Sequence, residues 1–160
     1  IFAFHSPKTY EKEVYASQVL NGVMIGGMSS RLWQEIREKR NLAYAVKGGY
    51  NGGKRFGYSS IFVGTSPDNI KKIKKIIIEE FEKAKGLDEK EIAQVKEQLI
   101  GNSKISKEDS QGQMLDLLYH EIWSKAEDSY KYESEIKKVK SEDVRKLANI
   151  KNFSFIALVP

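Results

Sequence analysis

The block from Ile25 to Tyr44 constrains the fold of this chain more than any other segment. Two glycines, Gly26 and Gly27, separate an apolar helical pattern from a charged run that predicts a second helix. Because glycine adopts backbone conformations that other residues avoid, the pair indicates a tight turn between the two helices. An alternating pattern typical of a strand begins just after Arg40. The block therefore predicts two successive helices that lead into a sheet.

The same periodicity predicts the other elements of the first half of the chain. Asn51-Gly52-Gly53 has the composition of a hairpin turn, so the strands on either side of it should be antiparallel. Leu42, Tyr44 and Val46 alternate, and this predicts that their side chains share one face of the first hairpin strand. The predicted elements are a strand over Ile1 to Phe4, a helix over Lys8 to Met24, a helix over Arg31 to about Arg40 capped by Ser29 or Ser30, and strands over Asn41 to Tyr50 and Phe56 to Thr65.

The second half of the chain is predicted to be mainly helical. Ser66-Pro67 is a helix start, and the spacing of Asp88 and Glu91 resembles a capping box. The last segment is apolar on both faces, which predicts a strand in the interior of the sheet. The predicted elements are helices that begin at Ser66 and at Asp88, helices over Ser106 to Trp123 and Tyr130 to Val139, a short helix from Ser141, and a strand over Phe153 to Val159.

This order of elements predicts the fold class α+β, a mostly antiparallel sheet with helices packed on one face. The sequence has no internal repeat or linker, so we expect residues 1–160 to form a single domain. The chain opens directly on a strand at Ile1, and we expect it to be a piece of a longer polypeptide.

Composition excludes several classes of function. The chain has 160 residues, of which 40% are hydrophobic and 31% charged, and its net charge is +5. Its lysines alternate with glutamates, which indicates a solvated surface rather than a nucleic-acid footprint. Apolar runs are only a few residues long, so no membrane span is predicted. The absence of cysteine excludes disulfides and thiolate metal sites, and it is compatible with a cytosolic setting without fixing the compartment.

Two motifs invite a catalytic interpretation that their sequences do not support. His120-Glu121-Ile122-Trp123-Ser124 begins like a zinc-peptidase helix, but Ser124 stands where the second histidine ligand is needed. The inverted order of that motif is also missing. Gly26-Gly27 lacks the lysine and hydroxyl residue that follow the glycines of a phosphate-binding loop. We therefore expect His120 to be a surface or packing residue and the glycines to serve the turn.

Arg37 and Tyr44 are the remaining candidates, and they lie seven residues apart. One interpretation is a surface arginine and a tyrosine buried for packing. The other requires the helix to end near Arg40, so that both side chains stand at the mouth of a cleft. Two such donors can stabilise the negative oxygen of a tetrahedral intermediate. Spacing alone leaves both interpretations open.

The block Gly26-Gly27-Met28-Ser29-Ser30-Arg31-Leu32 through Asn41-Leu42-Ala43-Tyr44 resembles the signature of a known domain. It is similar to the second homologous domain of the pitrilysin/insulinase-type zinc metallopeptidases, the superfamily of mitochondrial processing peptidase. The resemblance continues through Gly57, Gly64 to Pro67, Glu89 to Gln98, Lys138 to Val144 and Phe153 to Pro160. One departure is Asn41, where family members have a glycine. Asparagine also tolerates the left-handed backbone.

The resemblance implies a clamshell of two related α+β domains, fused or on separate subunits. The first domain carries the inverted zinc motif, and the second contributes an arginine and a tyrosine that reach the substrate. In this sequence those two match Arg37 and Tyr44. The implied function is therefore the substrate-positioning half of a zinc-dependent endopeptidase that cleaves peptides or small proteins. This chain would bind no metal itself, and the zinc would belong to the partner domain.

The same resemblance leaves a non-catalytic alternative open. The superfamily also contains domains kept as scaffolds, such as core subunits of a respiratory complex, and this chain would then be a pairing module. The presence of both Arg37 and Tyr44 favours the peptidase interpretation. By either interpretation the main partner is a homologous domain, and neither nucleic acid nor membrane is expected.

Overall fold

A computed structural model describes residues 1–159 of the chain. Four strands form one antiparallel sheet in the order β2-β3-β1-β4. The hairpin of β2 and β3 is its longest part, and β1 pairs with β3 on one side and with β4 on the other. The strands are β1 (Phe2–His5), β2 (Ala43–Gly52), β3 (Gly57–Thr65) and β4 (Phe153–Phe155).

Helices occupy most of the rest of the described chain. The α-helices are α1 (Val14–Ile25), α2 (Ile70–Ala84), α3 (Glu89–Ser106), α4 (Ser110–Trp123), α5 (Tyr132–Lys138) and α6 (Ser141–Leu147). The shorter elements are a π-helix over Trp33–Glu38 and 3₁₀ turns over Pro67–Asn69 and Ala126–Lys131. Within residues 1–159, no helix combines the length and the apolarity needed to cross a bilayer.

The hydrophobic core lies between the helices and one face of the sheet. Phe2 and Phe4 of β1 both contact Phe81 of α2, with ring centroids 6.2 and 5.1 Å apart. The opposite face of the sheet leaves Tyr58 and Phe62 exposed. This arrangement confirms the predicted α+β class, with helices on one face of an antiparallel sheet.

Two of the predicted helix starts follow the local chemistry of the sequence. Pro67 opens a 3₁₀ turn that leads into α2, and α2 buries the predicted stripe that includes Ile73 and Ile77. The Asp88 carboxylate accepts a hydrogen bond of 2.6 Å from the Glu91 backbone N–H at the start of α3. These elements were predictable because their signals involve neighbours in the sequence.

Three predicted helices have different bounds in the structure. The first, expected from Lys8, begins only at Val14, because the preceding residues form a turn in which Glu11 bonds to Lys8 through both its backbone and its carboxylate. The helix expected over Ser106 to Trp123 begins at Ser110, since α3 runs on to Ser106 and Asp109 caps a new helix. The helix expected over Tyr130 to Val139 is α5, preceded by a 3₁₀ turn.

The prediction for the last strand was wrong. β4 covers only Phe153–Phe155 and lies at the edge of the sheet, paired with β1 alone. The apolar residues after it are largely exposed, and Leu158 is 99% exposed. An apolar pattern on both faces indicates that the segment avoids water, but it does not specify how many neighbouring strands the fold supplies.

Candidate functional site

The predicted helix from Arg31 is wound mainly as a π-helix over Trp33–Glu38. Leu32 and Ile36 are both 0% exposed and fix this segment to the core. The predicted serine cap is absent, since the Ser30 hydroxyl donates to Gly27 O at 2.6 Å. Gly27 itself has φ +107°, which explains why a glycine stands at this turn. π-Helical turns are rare and frequently occur at functional sites.

The π-helix ends as the cleft interpretation requires, and a short link carries the chain into β2. Asn41 adopts the left-handed conformation, with φ 49°, as its residue type allowed. The Leu42 backbone N–H donates to Ile36 O at 2.9 Å, and the Thr65 hydroxyl donates to Leu42 O at 2.5 Å. These bonds fix the link to both the π-helix and β3.

Tyr44 lies in a β-bulge near the start of β2. Ala43 is opposite Thr65 and Ala45 is opposite Gly64, so Tyr44 is an extra residue without a partner. The prediction that Tyr44 shares a face with Leu42 and Val46 was therefore wrong. Tyr44 is 75% exposed, whereas those two residues are buried.

The Tyr44 ring rests on Gly64 across the hairpin. A Cβ atom added to Gly64 would lie 2.5 Å from Tyr44 Cζ, so a larger residue there would displace the ring. Beside the ring lies an apolar groove of about 430 Å³ that is lined by β3, α2 and the residues after β4. Tyr44 thus stands at the entrance of a groove with its hydroxyl unbonded within residues 1–159.

The Arg37 side chain is held by stacking on the Trp33 ring and not by an ion pair. Its guanidinium carbon lies 4.3 Å from the centre of the Trp33 ring, and no acceptor within residues 1–159 bonds to it. The nearby carboxylate of Glu35 is instead bonded to Lys39 and Arg40. Those hydrogen bonds, first from Arg40 and then from Lys39, lower the pKa of Glu35 to about 2. The Glu35 carboxylate is thus engaged by Lys39 and Arg40. The Arg37 donors have no partner within residues 1–159.

Arg37 and Tyr44 are thus two free donors on one rigid stretch, residues 37–44, which we name the Arg–Tyr segment. They are joined by the bonded link and not by a continuous helix, and they make no direct hydrogen bond with each other. Both can donate to an external acceptor such as a carbonyl oxygen or an oxyanion. The arrangement leaves open the role in which the two donors would act.

Sequence reasoning missed two residues that position this pair. Trp33 is partly buried against the core, its ring also supports Arg37, and its Nε1 donates to Glu38 at 3.1 Å. The spacing of four residues between Trp33 and Arg37 was a signal for this contact. Gly64 lies against the Tyr44 ring, and nothing local in the sequence pairs the two residues.

The two motifs rejected from the sequence have structural roles here. His120 lies on α4, and its Nδ1 atom is 2.8 Å from the backbone oxygen of Asp116. Across residues 1–159, no three histidine, cysteine or acidic side chains are grouped so that they could hold a metal ion. Gly26 ends α1 and donates its backbone N–H to Gly22 O.

Comparison with known proteins agrees with this fold. Residues 1–99 match the family described as Peptidase M16 inactive domain. A stretch of 98 residues is 38% identical to an uncharacterised zinc protease, SCO5738 of Streptomyces coelicolor, and it covers 60% of this chain and 21% of that protein. The chain therefore matches about a fifth of the length of this curated relative.

Solved structures show the same architecture. A protease from Helicobacter pylori superposes with a TM-score of 0.84 at 18% identity, covering 92% of this chain and 36% of that one. A peptidase M16 inactive domain from Pseudomonas fluorescens gives a TM-score of 0.77 at 22% identity, covering 99% of this chain and 41% of the other. At such identities the likeness concerns the fold.

The fold and the family match together define the class of this chain as a domain of zinc-protease-like proteins that lacks the zinc motif. The chain belongs to the peptidase M16 inactive-domain family. The superfamily resemblance predicted from the Gly-Gly-Met-Ser-Ser block is thereby confirmed. The family match does not assign roles to Arg37 and Tyr44.

Proposed function

We propose that this chain is the substrate-positioning half of a zinc-dependent endopeptidase, built as one domain over residues 1–160. A homologous zinc-bearing domain, fused or on a separate subunit, is the proposed partner, and a peptide is the proposed substrate. Arg37 and Tyr44 are the proposed contacts to the scissile carbonyl oxygen or to the oxyanion that forms from it.

The observation that carries this proposal is that both donors are free while neighbouring ones are engaged. Arg31 bonds to Glu91 and Arg40 bonds to Glu35, but Arg37 has no acceptor within residues 1–159. The Trp33 ring supports Arg37, and Gly64 supports the Tyr44 ring. Both donors are therefore positioned for an acceptor that arrives from outside. Donors fixed in advance need little reorganisation as charge develops, and each is commonly worth about 3 kcal/mol of transition-state stabilisation.

The groove beside Tyr44 supports a peptide as the substrate. Its lining is mainly apolar and includes Phe62, Pro67 and Ile70. An extended peptide whose carbonyl meets Arg37 and Tyr44 could place one apolar side chain in this groove. A zinc ion on the partner domain would supply the Lewis acid that such hydrolysis uses. Within this chain, the role of the Arg–Tyr segment is to bind and orient the carbonyl.

The test uses the chain together with its zinc-bearing half. Arg37→Ala and Tyr44→Phe should each lower kcat/KM about 100- to 1,000-fold, as expected for loss of one oxyanion donor. The zinc content of the assembly should stay unchanged, because neither residue contacts the metal under this proposal.

Matched control variants exist on the hairpin. Arg55→Ala removes an exposed arginine, and Tyr58→Phe removes the hydroxyl of an exposed tyrosine on β3. Both controls should keep the turnover of the unmodified assembly. Full activity in the Arg37 and Tyr44 variants would overturn the proposal. An inactive assembly in which the two halves still pair would instead support the scaffold alternative.

A further inference from the structure

A second concave site lies at the end of the hairpin remote from Tyr44. It is a pocket of about 480 Å³ between the start of α1, the end of β2 and the helices α4 and α5. Its volume falls in the range of small-molecule sites. We name it the aromatic pocket because six aromatic side chains line it: Tyr10, Tyr15, Tyr50, Tyr119, Trp123 and Tyr132.

The aromatic pocket contains unsatisfied polar atoms. Within residues 1–159, two side-chain atoms are shielded from solvent and lack a hydrogen-bond partner, Trp123 Nε1 and Thr9 Oγ1, and both residues line this pocket. An indole N–H can only donate, and leaving a buried donor unpaired costs about 1–3 kcal/mol. Because this atom is shielded, a ligand can supply an acceptor to Trp123 Nε1 only when the α4 wall of the aromatic pocket shifts.

The charge of the aromatic pocket is opposite to that of the whole chain. Four carboxylates line it, against the ammonium groups of Lys12 and Lys131, while the chain carries +5. Asp128 is paired with Lys131 at 2.7 Å, and Glu135 with Lys138 at 2.7 Å.

The other two lining carboxylates belong to Glu11 and Asp116, and in the described chain neither has a lysine or arginine side-chain nitrogen within 4 Å. Glu11 accepts only a backbone N–H, from Lys8, and Asp116 lies 3.4 Å from His120 Nδ1. The aromatic pocket thus offers two carboxylates that lack a strong cationic partner.

The aromatic walls stand in this negative environment. Tyr15 and Tyr132 meet edge to face, with ring centroids 6.2 Å apart. Burial, followed by Tyr15 and Asp116, raises the pKa of Tyr132 to about 12. Burial, followed by Glu135 and Asp128, also raises the pKa of Tyr15. Aromatic faces beside unpaired carboxylates are the usual surroundings of a bound organic cation.

We propose that the aromatic pocket binds a peptide-borne organic cation, the side chain of an arginine or lysine, while Trp123 Nε1–H donates to a carbonyl of the same peptide. The cation lies against the tyrosine rings and near Asp116 and Glu11. The proposal does not depend on the proposed peptidase function, because the aromatic pocket shares no lining residue with the Arg–Tyr segment.

The test titrates the 160-residue chain with N-acetyl-arginine methylamide, followed by calorimetry or NMR. The citrulline analogue has nearly the same shape without the charge, and it should bind at least about tenfold more weakly. Methylguanidinium carries the cation without the carbonyl, so the difference between it and the arginine amide measures the contribution of Trp123.

Two variants separate the parts of the aromatic pocket. Asp116→Asn should weaken both cationic probes by about tenfold, because it removes an unpaired charge. Trp123→Phe keeps an aromatic ring but loses the donor. It should weaken the arginine amide by about fivefold and leave methylguanidinium within about twofold of the unmodified chain.

Matched controls lie outside the aromatic pocket. Tyr58→Phe removes a hydroxyl donor from an exposed ring on β3, and Glu127→Gln removes an exposed carboxylate near α4. Both should bind the arginine amide as the unmodified chain does, and circular dichroism should show that all variants are folded. Equal binding of the arginine and citrulline probes, no binding by the folded chain, or no effect of Asp116→Asn would overturn the proposal.

Discussion

The Arg–Tyr segment and the aromatic pocket are both exposed sites, but the elements that hold them differ in how deeply they are buried. The segment follows Leu32 and Ile36, which are completely buried, and it lies within the family-matched residues 1–99. The aromatic pocket is closed on one side by α4, which contains no fully buried residue and lies outside that range. The first site is therefore held by the core, whereas the second depends on a helix with few buried contacts.

The difference in burial affects how rigidly each site holds its binding geometry. Sites on a packed core keep their geometry, which suits donors that must meet a developing charge. Regions with few buried apolar contacts open locally at low free-energy cost. We expect the Arg–Tyr segment to be preformed and the α4 wall of the aromatic pocket to adjust when a ligand enters.

The same substitution in both regions gives the largest expected effect. Leu32→Ala should lower the free energy of unfolding by about 2–5 kcal/mol, because it leaves a cavity in the core. Leu118→Ala on α4 should lower it by less than about 1 kcal/mol, since Leu118 is half exposed. Urea denaturation of the two variants measures both values. Similar losses would show that α4 is packed as firmly as the core and would remove the contrast.

The substitution Gly64→Ala on β3 tests whether the Arg–Tyr segment is preformed. Gly64→Ala places a methyl group 2.5 Å from Tyr44 Cζ and should push the ring aside without removing its hydroxyl. In the assembly with the zinc-bearing half, we expect kcat/KM to fall by about tenfold, since small misplacements are costly in catalysis. The Tyr44 ring resonances should shift in NMR spectra of the chain alone.

The control for this change is on the adjacent strand. Gly49→Ala adds the same methyl group where no atom lies within 4 Å, so it should alter neither the ring resonances nor the turnover. Unshifted Tyr44 resonances in Gly64→Ala would mean that the ring does not depend on its contact with Gly64.

The sequence predicted the parts of the molecule that depend on near neighbours. The helix starts at Pro67 and Asp88 and the α2 stripe have local causes. The hairpin was also predicted, but its turn covers residues 53–56, because Asn51 and Gly52 still pair with β3. The class of the sheet followed from the order of these elements. The family signature identified Arg37 and Tyr44 as candidates, which spacing alone could not have done.

The features that the sequence did not predict depend on distant contacts. The bulge at Tyr44 exists because β3 brings Gly64 opposite Ala45, and no pattern within β2 specifies that register. The edge position of β4 is set by which strands are available to pair. The aromatic pocket combines residues of α1, β2, α4 and α5, so its members are unrelated in sequence spacing.

The smallest expected effect concerns the charge of Glu35, which lies in the π-helix that leads into the Arg–Tyr segment. Glu35 is bonded to Lys39 and Arg40, and its lowered pKa means that its contribution to stability is present above about pH 4.5 and is lost as the pH falls toward about 2. Glu35→Gln should therefore cost less than about 1 kcal/mol at pH 7, and the difference from the unmodified chain should shrink between those pH values. Denaturation curves at several pH values give this profile.

Glu127→Gln is the matched control, because it removes an exposed carboxylate with no hydrogen-bonded partner within residues 1–159, and it should show no such profile. The result bears on the contrast between the two regions because the Glu35 carboxylate is engaged within the chain, whereas the unpaired carboxylates of the aromatic pocket are not. If Glu35→Gln causes no loss of stability, the bonds of Glu35 to Lys39 and Arg40 contribute little to the folded state. The Arg–Tyr segment would then resemble the aromatic pocket, with a carboxylate that lacks a strong partner, and the contrast between engaged and free charges would disappear.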